Sequence, residues 1–302
     1  MLADGRYYGS IDNNLFVRIS GNGTPVIIIE PGLGSLSIEW WQIQEELSKI
    51  GTVITYDRAG YGESPKAKTP RTSTNIIMEL FNMLCNTQLQ GPYLFIGHSI
   101  GGLYIQHFAK LFPRHTAGIV LVDSFTTKIF EFDTINAPKY QEFGSLSSRM
   151  NNIKKLSELD AEQFNKTIAY MLSGLYEEYP QVISDQLKLY QSDMNFYKTI
   201  IDEYENLGES IKIIETIDTF PKIPLYVLCR DYQYMIELSK SIGIPAEEAR
   251  IVEEMWIQHN KDLLNLSPDN EFYIIKDSDH NLHLSNPRSI IDITKKMIKN
   301  IV

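Results

Sequence analysis

The feature that most constrains this chain is a short apolar run that recurs along it and ends each time in a turn containing Gly, Asp or Ser. These runs are apolar at successive positions rather than at alternate ones, which is typical of parallel strands buried on both faces. Because such a sheet must be covered on both sides, helices are required between the runs. The runs are Val26–Ile29, Val53–Tyr56, Tyr93–Ile96, Ile119–Val122, Leu225–Leu228 and Phe272–Ile275.

Helical patterns do lie between several of these runs. Thr74–Leu84 and Ile100–Phe112 each place apolar residues on one stripe. Strand, helix and strand in this order predict βαβ units and a mostly parallel sheet of the α/β class. The start of the chain differs: Tyr7–Ser10 and Leu15–Ile19, joined by Asp12-Asn13-Asn14, predict an antiparallel hairpin at the sheet edge.

The stretch from Phe125 to Phe220 contains no clear buried strand. Asp160 is placed to cap a helix, with Gln163 at its third position. A second helix is predicted from about Leu187 to Ile201, with Gly208 ending the pattern nearby. The apolar positions of these two helices are Phe164, Ile168, Met171 and Leu175, then Leu187, Tyr190, Met194, Tyr197 and Ile201.

The chain then returns to the sheet pattern. Pro221-Lys222-Ile223-Pro224 marks this return, and a further helix is predicted from Pro245 to about Leu264. We therefore expect a core formed by residues 1–125 and 221–302, with residues 126–220 inserted as a helical cap.

Composition excludes several classes of protein. The formal net charge of −10 and the pI of about 5.2 argue against binding to a nucleic-acid backbone. No apolar run is long enough for a membrane span, and Met1–Gly5 has no basic segment before an apolar one, so we expect a cytoplasmic protein without a signal peptide. Cys85 and Cys229 are too few for a disulfide framework and are expected to be buried, reduced thiols.

The strongest chemical motif is Gly97-His98-Ser99-Ile100-Gly101, which matches G-x-S-x-G between a predicted strand and a predicted helix. A serine on such a sharp turn exposes its hydroxyl, and the flanking glycines leave room for the turn. The amide of Ile100 then lies at a helix N-terminus, whose partial positive charge suits an oxyanion. Ser99 is therefore the predicted nucleophile.

With its neighbouring motifs, the sequence resembles the α/β-hydrolase superfamily, in particular members with a PGLG-type oxyanion loop and a YDRAGYGxS segment. The matching segments are Glu30–Ser35, Tyr56–Ser64, Gly97–Gly102, Leu121–Ser124, and Asp279-His280 through Asn286-Pro287. The resemblance implies the α/β-hydrolase fold, a mostly parallel eight-stranded sheet flanked by helices, with a helical cap after the sixth strand. It also implies hydrolysis of an ester, an amide or a related bond without a diffusible cofactor.

The oxyanion loop departs from the commoner pattern of the superfamily. Pro31 stands where a histidine of an H-G-x motif is usual. Because the donor at this position is a backbone amide, the side chain can vary. We assign the predicted oxyanion hole to the amides of Leu33 and Ile100.

Six histidines compete for the role of general base. A base should lie on a loop just beyond a strand, and this leaves His280 and His283. In the superfamily the base is the first histidine of the H-x-x-H-L-x-x-P stretch, which is His280. His283 is expected to pack near the last helix, which Asn286 caps and Pro287 opens. The histidines expected to pack or to lie on the surface are His98, His107, His115 and His259.

Two acidic residues end strands between the serine and the histidine. The superfamily more often places the acid after the later strand, where Asp231 lies, but some branches place it after the sixth strand, where Asp123 lies. Asp231 follows Arg230 and is expected to pair with it at the surface. Asp123 follows an unbroken apolar strand, so its carboxylate is expected to be buried and in need of a partner. We therefore favour Asp123 and keep Asp231 as the alternative acid.

The sequence thus predicts a serine hydrolase that cleaves a small ester, acyl or amide substrate through an acyl-enzyme, with an ester the favoured bond. The alternatives are an aminopeptidase, or a small-molecule receptor that keeps the hydrolase fold without catalysis. Asp277, Asp279, His280 and His283 are close in sequence, but their spacing does not predict a metal site.

Overall fold

An eight-stranded sheet organises the chain in this computed structural model, which describes residues 4–10 and 13–301. The strand order is β1-β2-β4-β3-β5-β6-β7-β8. The pairs β1–β2 and β2–β4 are antiparallel, and the other neighbours are parallel. The strands are β1 Gly5–Ser10, β2 Asn13–Ser20, β3 Val26–Glu30, β4 Thr52–Tyr56, β5 Tyr93–His98, β6 Thr116–Val122, β7 Leu225–Cys229 and β8 Asn270–Ile274.

Each predicted apolar run is part of a strand, except that Ile275 follows the end of β8, and the predicted hairpin forms the sheet edge. Its predicted turn includes Asp12, which lies outside the described residues. Strand β6 starts at Thr116 rather than at Ile119, and β8 starts at Asn270 rather than at Phe272. As the other edge strand, β8 is only partly buried, so it tolerates polar residues that an apolar pattern does not detect.

Helices cover both faces of the sheet, and two apolar clusters fill the space between. One cluster includes residues of α2 and α3, and the other includes residues of α1 and α13. The helices of this part are α1 Trp41–Leu47, α2 Ser73–Asn86, α3 Ile100–Leu111, α10 Tyr232–Ser241, α11 Ala246–Asp262, α12 Leu282–Ser285 and α13 Pro287–Ile301. The predicted cap of α13 is present, since Asn286 Oδ1 accepts a hydrogen bond from the amide of Ser289 at 3.2 Å.

Six α-helices, one 3₁₀-helix (Ile129–Thr134) and no strand lie within residues 125–220, all of which are described. In chain order, the α-helices are α4 Pro138–Phe143, α5 Leu146–Ser157, α6 Ala161–Met171, α7 Gln181–Gln191, α8 Met194–Glu205 and α9 Leu207–Glu215. Apolar residues of α5 to α8 form a separate cluster that also includes Leu36 and Tyr61 from the sheet side. Leu207, Ile211 and Ile214 of α9 belong instead to the cluster that includes α2 and α3. Asp160 caps α6 as predicted, accepting from the amide of Gln163 at 2.8 Å.

Two local predictions were wrong. The single helix expected from Leu187 to Ile201 is two helices, because the Asp193 carboxylate accepts from the amide of Asn195 at 2.9 Å and starts α8. Gly208 does not end the pattern but lies in the first turn of α9.

The cysteines also differ from expectation. Cys229 is buried, but Cys85 is exposed because it lies on the outer side of α2, beside the buried Met83 and Leu84. Both are free thiols. Within the described part of the chain, no helix is long and apolar enough to cross a membrane.

Candidate active site

Ser99 lies on a strained turn between β5 and α3. Its backbone has φ of 54° and ψ of −126°, a conformation that a residue with a side chain rarely adopts. The turn is held because the Ser99 amide donates to the carbonyl of Val122 and the Ser99 carbonyl accepts from Phe125. Gly101 is required, since a Cβ there would collide with the carbonyl oxygens of Glu30 and Pro31.

His280 links this serine to a buried carboxylate. Its Nε2 lies 3.0 Å from Ser99 Oγ, and its Nδ1 lies 2.7 Å from Asp123 Oδ2. The imidazole packs beside the rings of Phe125 and Trp256, with centroid distances of 6.4 and 5.7 Å. In this arrangement a histidine can remove the serine proton while the carboxylate holds the ring in position.

Asp123 is fully buried at the end of β6 and has an unusual positive φ of 44°. Its Oδ1 accepts from the Arg230 amide at 3.0 Å and from Trp256 Nε1 at 2.8 Å. Burial acts to raise the pKa of Asp123, but the charge of Arg230 and the hydrogen bonds of His280 and Trp256 outweigh it and lower the pKa to about 2. The carboxylate is therefore charged at neutral pH.

Arg230 is a site residue that the sequence analysis did not identify. Its guanidinium lies 3.3 Å from Asp123 Oδ2, pairs with both oxygens of Glu253 at 2.9 and 2.6 Å, and lies over the Trp256 ring at 4.2 Å. Neither of its carboxylate partners is Asp231, so the expected Arg230–Asp231 pair was wrong. Glu253 lies on α11, far from Arg230 in the sequence, so no local sequence pattern predicted this ion pair.

Asp231 is placed differently from Asp123. Its carboxylate caps α10 through the amides of Gln233 and Tyr234, and it accepts from the Asp277 amide at 3.1 Å. These contacts give Asp231 a local structural role, and the structure does not bring it to His280.

The loop between β3 and α1 lies against the serine. A Cβ on Gly32 would be 2.8 Å from His98 Nδ1 and 3.3 Å from Ser99 Cβ, so only glycine fits there. Among the hydrogen bonds of the described residues, the amides of Leu33 and Ile100 have no protein acceptor. The structure thus leaves both of these donors free for an incoming group.

Arg58 fixes the orientation of this loop. Its guanidinium donates to the carbonyls of Pro31 at 2.7 Å and of Gly32 at 2.8 Å. The Gly32 carbonyl belongs to the same trans peptide as the Leu33 amide, and in a trans peptide these two groups point in opposite directions. By holding the carbonyl, Arg58 therefore also sets the direction of the Leu33 N–H.

Arg58 in turn is held by two buried carboxylates. Glu30 lies 3.0 Å away, and Glu203 on α8 accepts two hydrogen bonds, each of 2.9 Å. The helices inserted between β6 and β7 therefore contact the loop beside Ser99 through an ion pair. The sequence analysis assigned no role to Arg58 or Glu203.

The other histidines pack or form local contacts. His98 Nε2 donates to the carbonyl of His280 at 2.8 Å, and its ring packs beside those of Trp40 and His283. Burial lowers the pKa of His283 to about 3. His107 contacts Ser73, and His259 contacts Glu131. His115 packs against the rings of Phe81 and Phe112.

A cavity of about 220 Å³ adjoins His280. It lies between residues of α4 and α5 on one side and residues of α10 and α11 on the other. Most of its lining is apolar, and the polar groups include Tyr140, Arg149, Arg230 and Glu253. The apolar lining residues include Phe125, Ile129, Phe132, Leu146, Met235, Leu238, Ile244, Val252 and Trp256.

Comparison with known proteins adds to this geometry. A family model described as the alpha/beta hydrolase fold matches residues 25–157, which include Ser99 and Asp123. The chain has the α/β-hydrolase fold. Of its relatives, an "AB hydrolase superfamily protein" of Gibberella zeae is 24% identical over 300 residues, covering 91% of this chain and 86% of that protein. A "Probable transporter efuK" of Hormonema carpetanum is 32% identical over 136 residues, but this is 42% of the chain and only 20% of that protein.

Solved structures share the whole architecture with the chain. The epoxide hydrolase CorEH has a TM-score of 0.72 at 15% identity, with 99% of each chain covered. A thermophilic esterase from Thermogutta terrifontis has a TM-score of 0.64 at 17% identity, again with 99% of each chain covered. At such identities the likeness shows the fold, and the chemistry must be argued from the site.

Proposed function

We propose that this protein is a serine hydrolase that cleaves small carboxylic esters through an acyl-enzyme. The observation that carries the proposal is the position of His280, within hydrogen-bond distance of both Ser99 Oγ and Asp123 Oδ2. This is the arrangement in which a neutral imidazole removes a hydroxyl proton and its positive charge is then stabilised by a carboxylate.

The proposed reaction has two steps. Ser99 Oγ attacks the carbonyl carbon as its proton passes to His280 Nε2, and the oxyanion accepts hydrogen bonds from the amides of Leu33 and Ile100. The tetrahedral intermediate collapses, and His280 gives the proton to the leaving alcohol. Water, activated by the same histidine, then attacks the acyl-enzyme and releases the acid and Ser99.

The site favours a carbonyl substrate over an epoxide. Two backbone amides without protein acceptors lie beside the serine, and they suit the negative oxygen that forms when a carbonyl carbon becomes tetrahedral. Opening an epoxide at carbon creates no oxyanion on an acyl carbon. Ser99 is also an alcohol nucleophile with a base 3.0 Å away, as acyl transfer requires.

We further propose that residues 126–220 act as a cap that selects the substrate. Residues of α4 and α5 form one wall of the cavity beside His280, whereas Ser99, Asp123 and His280 all lie outside this segment. Exchanging apolar wall residues such as Leu146 should therefore change the preferred ester size more than the chemistry itself.

The test is a chain-length series of 4-nitrophenyl esters beside a panel of aminoacyl 4-nitroanilides, with Ser99→Ala as the matched control. The proposal predicts ester turnover by the wild type and none above background by the variant. Preference for the aminoacyl amides would make the protein an aminopeptidase. Absence of turnover in both panels, with small molecules still bound, would indicate the receptor.

A further inference from the structure

Arg149 is an exposed residue, and it differs from three buried arginines of this protein in having no charged partner among the described residues. Arg58, Arg71 and Arg230 each pair with a glutamate within 3.0 Å. Among the hydrogen bonds and ion pairs of the described residues, none involves the guanidinium of Arg149. A cation that no protein carboxylate neutralises is available to a ligand of opposite charge.

Arg149 is placed to contact a molecule in the cavity beside His280. The residue lies in the first turns of α5, in the segment inserted after β6, and it lines the same cavity as His280. The other charges in the cavity are already used, because Arg230 pairs with Asp123 and Glu253. Arg149 is thus the one charged cavity residue for which the described contacts give no partner.

No carboxylate is among the groups that shift the pKa of the Arg149 guanidinium, and part of the side chain is exposed to solvent. Desolvation by the surrounding protein lowers the pKa of Arg149, Tyr140 opposes this shift, and the like charge of Arg230 adds to it. An arginine remains charged under such conditions, and its guanidinium can donate two hydrogen bonds to one planar anion.

We infer that Arg149 is the anion-binding group of the substrate pocket, and that the substrate is an ester carrying a carboxylate separated from the scissile bond by an apolar chain. This inference rests on the proposed esterase function and adds the substrate class to it. The apolar cavity wall between His280 and Arg149 holds the chain, and the guanidinium holds the carboxylate at its far end.

Matched ester pairs test the inference. The first pair, 4-nitrophenyl hydrogen adipate and 4-nitrophenyl hexanoate, places the charge on the acyl side. The second pair, 4-nitro-3-hexanoyloxybenzoate and 2-nitrophenyl hexanoate, places it on the leaving group. Arg149→Met should lower kcat/KM for the charged ester of at least one pair by about 10- to 100-fold, the range of one charge-assisted hydrogen bond. The neutral esters should change by less than about threefold.

Two control variants exclude general effects. Arg149→Lys keeps the charge and should retain part of the preference for the charged ester. Arg114→Met removes a positive charge outside the lining of this cavity. In both ester pairs it should leave the ratio of kcat/KM for the charged ester to kcat/KM for the neutral ester unchanged. Equal effects of Arg149→Met on the charged and neutral members of both pairs would overturn the inference while leaving the esterase proposal intact.

A binding measurement separates this inference from the proposed chemistry. Adipate titrated calorimetrically into the Ser99→Ala protein should bind, and the added Arg149→Met substitution should weaken that binding about tenfold or more. If wild-type protein cleaves no ester yet adipate binding still depends on Arg149, the esterase proposal fails and the anion site stands. Equal adipate affinity with and without Arg149 contradicts the site itself.

Discussion

Two buried arginines support the candidate site from opposite sides, and they do so in different ways. Arg58 and Arg230 each bridge two carboxylates, one at a strand end and one on a helix. Arg230 contacts Asp123 and lowers the pKa of this carboxyl group, so it favours the charged form of the residue that holds His280. The contacts of Arg58 beside the serine are instead the carbonyls of Pro31 and Gly32. One arginine stabilises a charge, and the other fixes the direction of a peptide.

This difference shows that a general base and an oxyanion donor need different kinds of support from the protein. A general base needs a fixed ring and a nearby negative charge, which a charge network supplies. An oxyanion donor needs a fixed direction, and a backbone amide can be oriented only through its own peptide. The helix partners also differ, since Glu253 lies between β7 and β8 whereas Glu203 lies in the segment inserted after β6.

The largest expected effect on activity comes from removing the negative charge of Asp123, which Arg230 stabilises. Asp123→Asn keeps the shape of the side chain but favours the wrong tautomer of His280, so kcat should fall about 10³- to 10⁴-fold. Asp231→Asn is the matched control and should lose less than about tenfold, because Asp231 contacts only backbone amides and Lys276. Ester kinetics and circular dichroism on both variants are the measurements. An inactive Asp231→Asn beside an active, folded Asp123→Asn would reverse our assignment.

The next largest effect tests whether Arg58 orients the peptide between Gly32 and Leu33. Glu203→Gln removes one of the two charges that hold Arg58, which loosens the Leu33 amide, so kcat should fall on the order of 10- to 100-fold with little change in KM. Breaking such a buried pair also costs about 3–5 kcal/mol of stability.

Glu79→Gln provides the control for that loss of stability. It breaks the buried Arg71–Glu79 pair, whose hydrogen bonds are 2.8 and 2.9 Å and which does not contact the loop beside Ser99. It should reduce the free energy of unfolding similarly while kcat stays within about twofold of the wild type. If both variants lose kcat equally, Arg58 does not act on the oxyanion loop.

The charge network of Arg230 also predicts a pH effect on stability. The pKa of Asp123 is about 2 against an ordinary 3.8, so the folded state favours the charged form. This contribution is complete above the ordinary pKa and is lost as the pH falls from about 4 to about 2. It amounts to about 2 kcal/mol.

Urea unfolding at several pH values measures this contribution. Between pH values of about 5 and 2.5, the wild type should lose about 1.5 kcal/mol more stability than Asp123→Asn. Parallel losses in the two proteins would mean that Arg230 does not stabilise the charge of Asp123 in the folded state.

The smallest expected effect on activity comes from Glu253→Gln. Arg230 keeps its contacts with Asp123, and Trp256 still donates to the same carboxylate, so kcat should fall by less than about tenfold. Steady-state kinetics with the same ester compare the loss of kcat in Glu253→Gln with the loss in Glu203→Gln. A larger loss in Glu253→Gln than in Glu203→Gln would contradict the difference drawn between the two arginines.

The sequence predicted those parts of the molecule that depend on local pattern. Ser99, Asp123 and His280 each follow an apolar run, and the carboxyl ends of parallel strands meet at one edge of the sheet. The structure brings these three side chains together.

The parts that were missed depend on contacts between distant segments. Arg58 and Glu203 are 145 positions apart, and no periodicity links them. Arg230 was expected to pair with its neighbour Asp231, but their side chains have different partners. The break before α8 depends on one aspartate hydrogen bond, which competes with an otherwise continuous apolar stripe.

The most direct test of the account is covalent labelling of the nucleophile. A fluorophosphonate probe should modify the folded wild-type protein once, and peptide mapping by mass spectrometry should place the adduct on Ser99, whose hydroxyl lies 3.0 Å from His280 Nε2. Ser99→Ala should remain unmodified. Labelling that persists in Ser99→Ala, an adduct on another residue, or a folded wild type that does not react would contradict the assignment of Ser99 as the nucleophile.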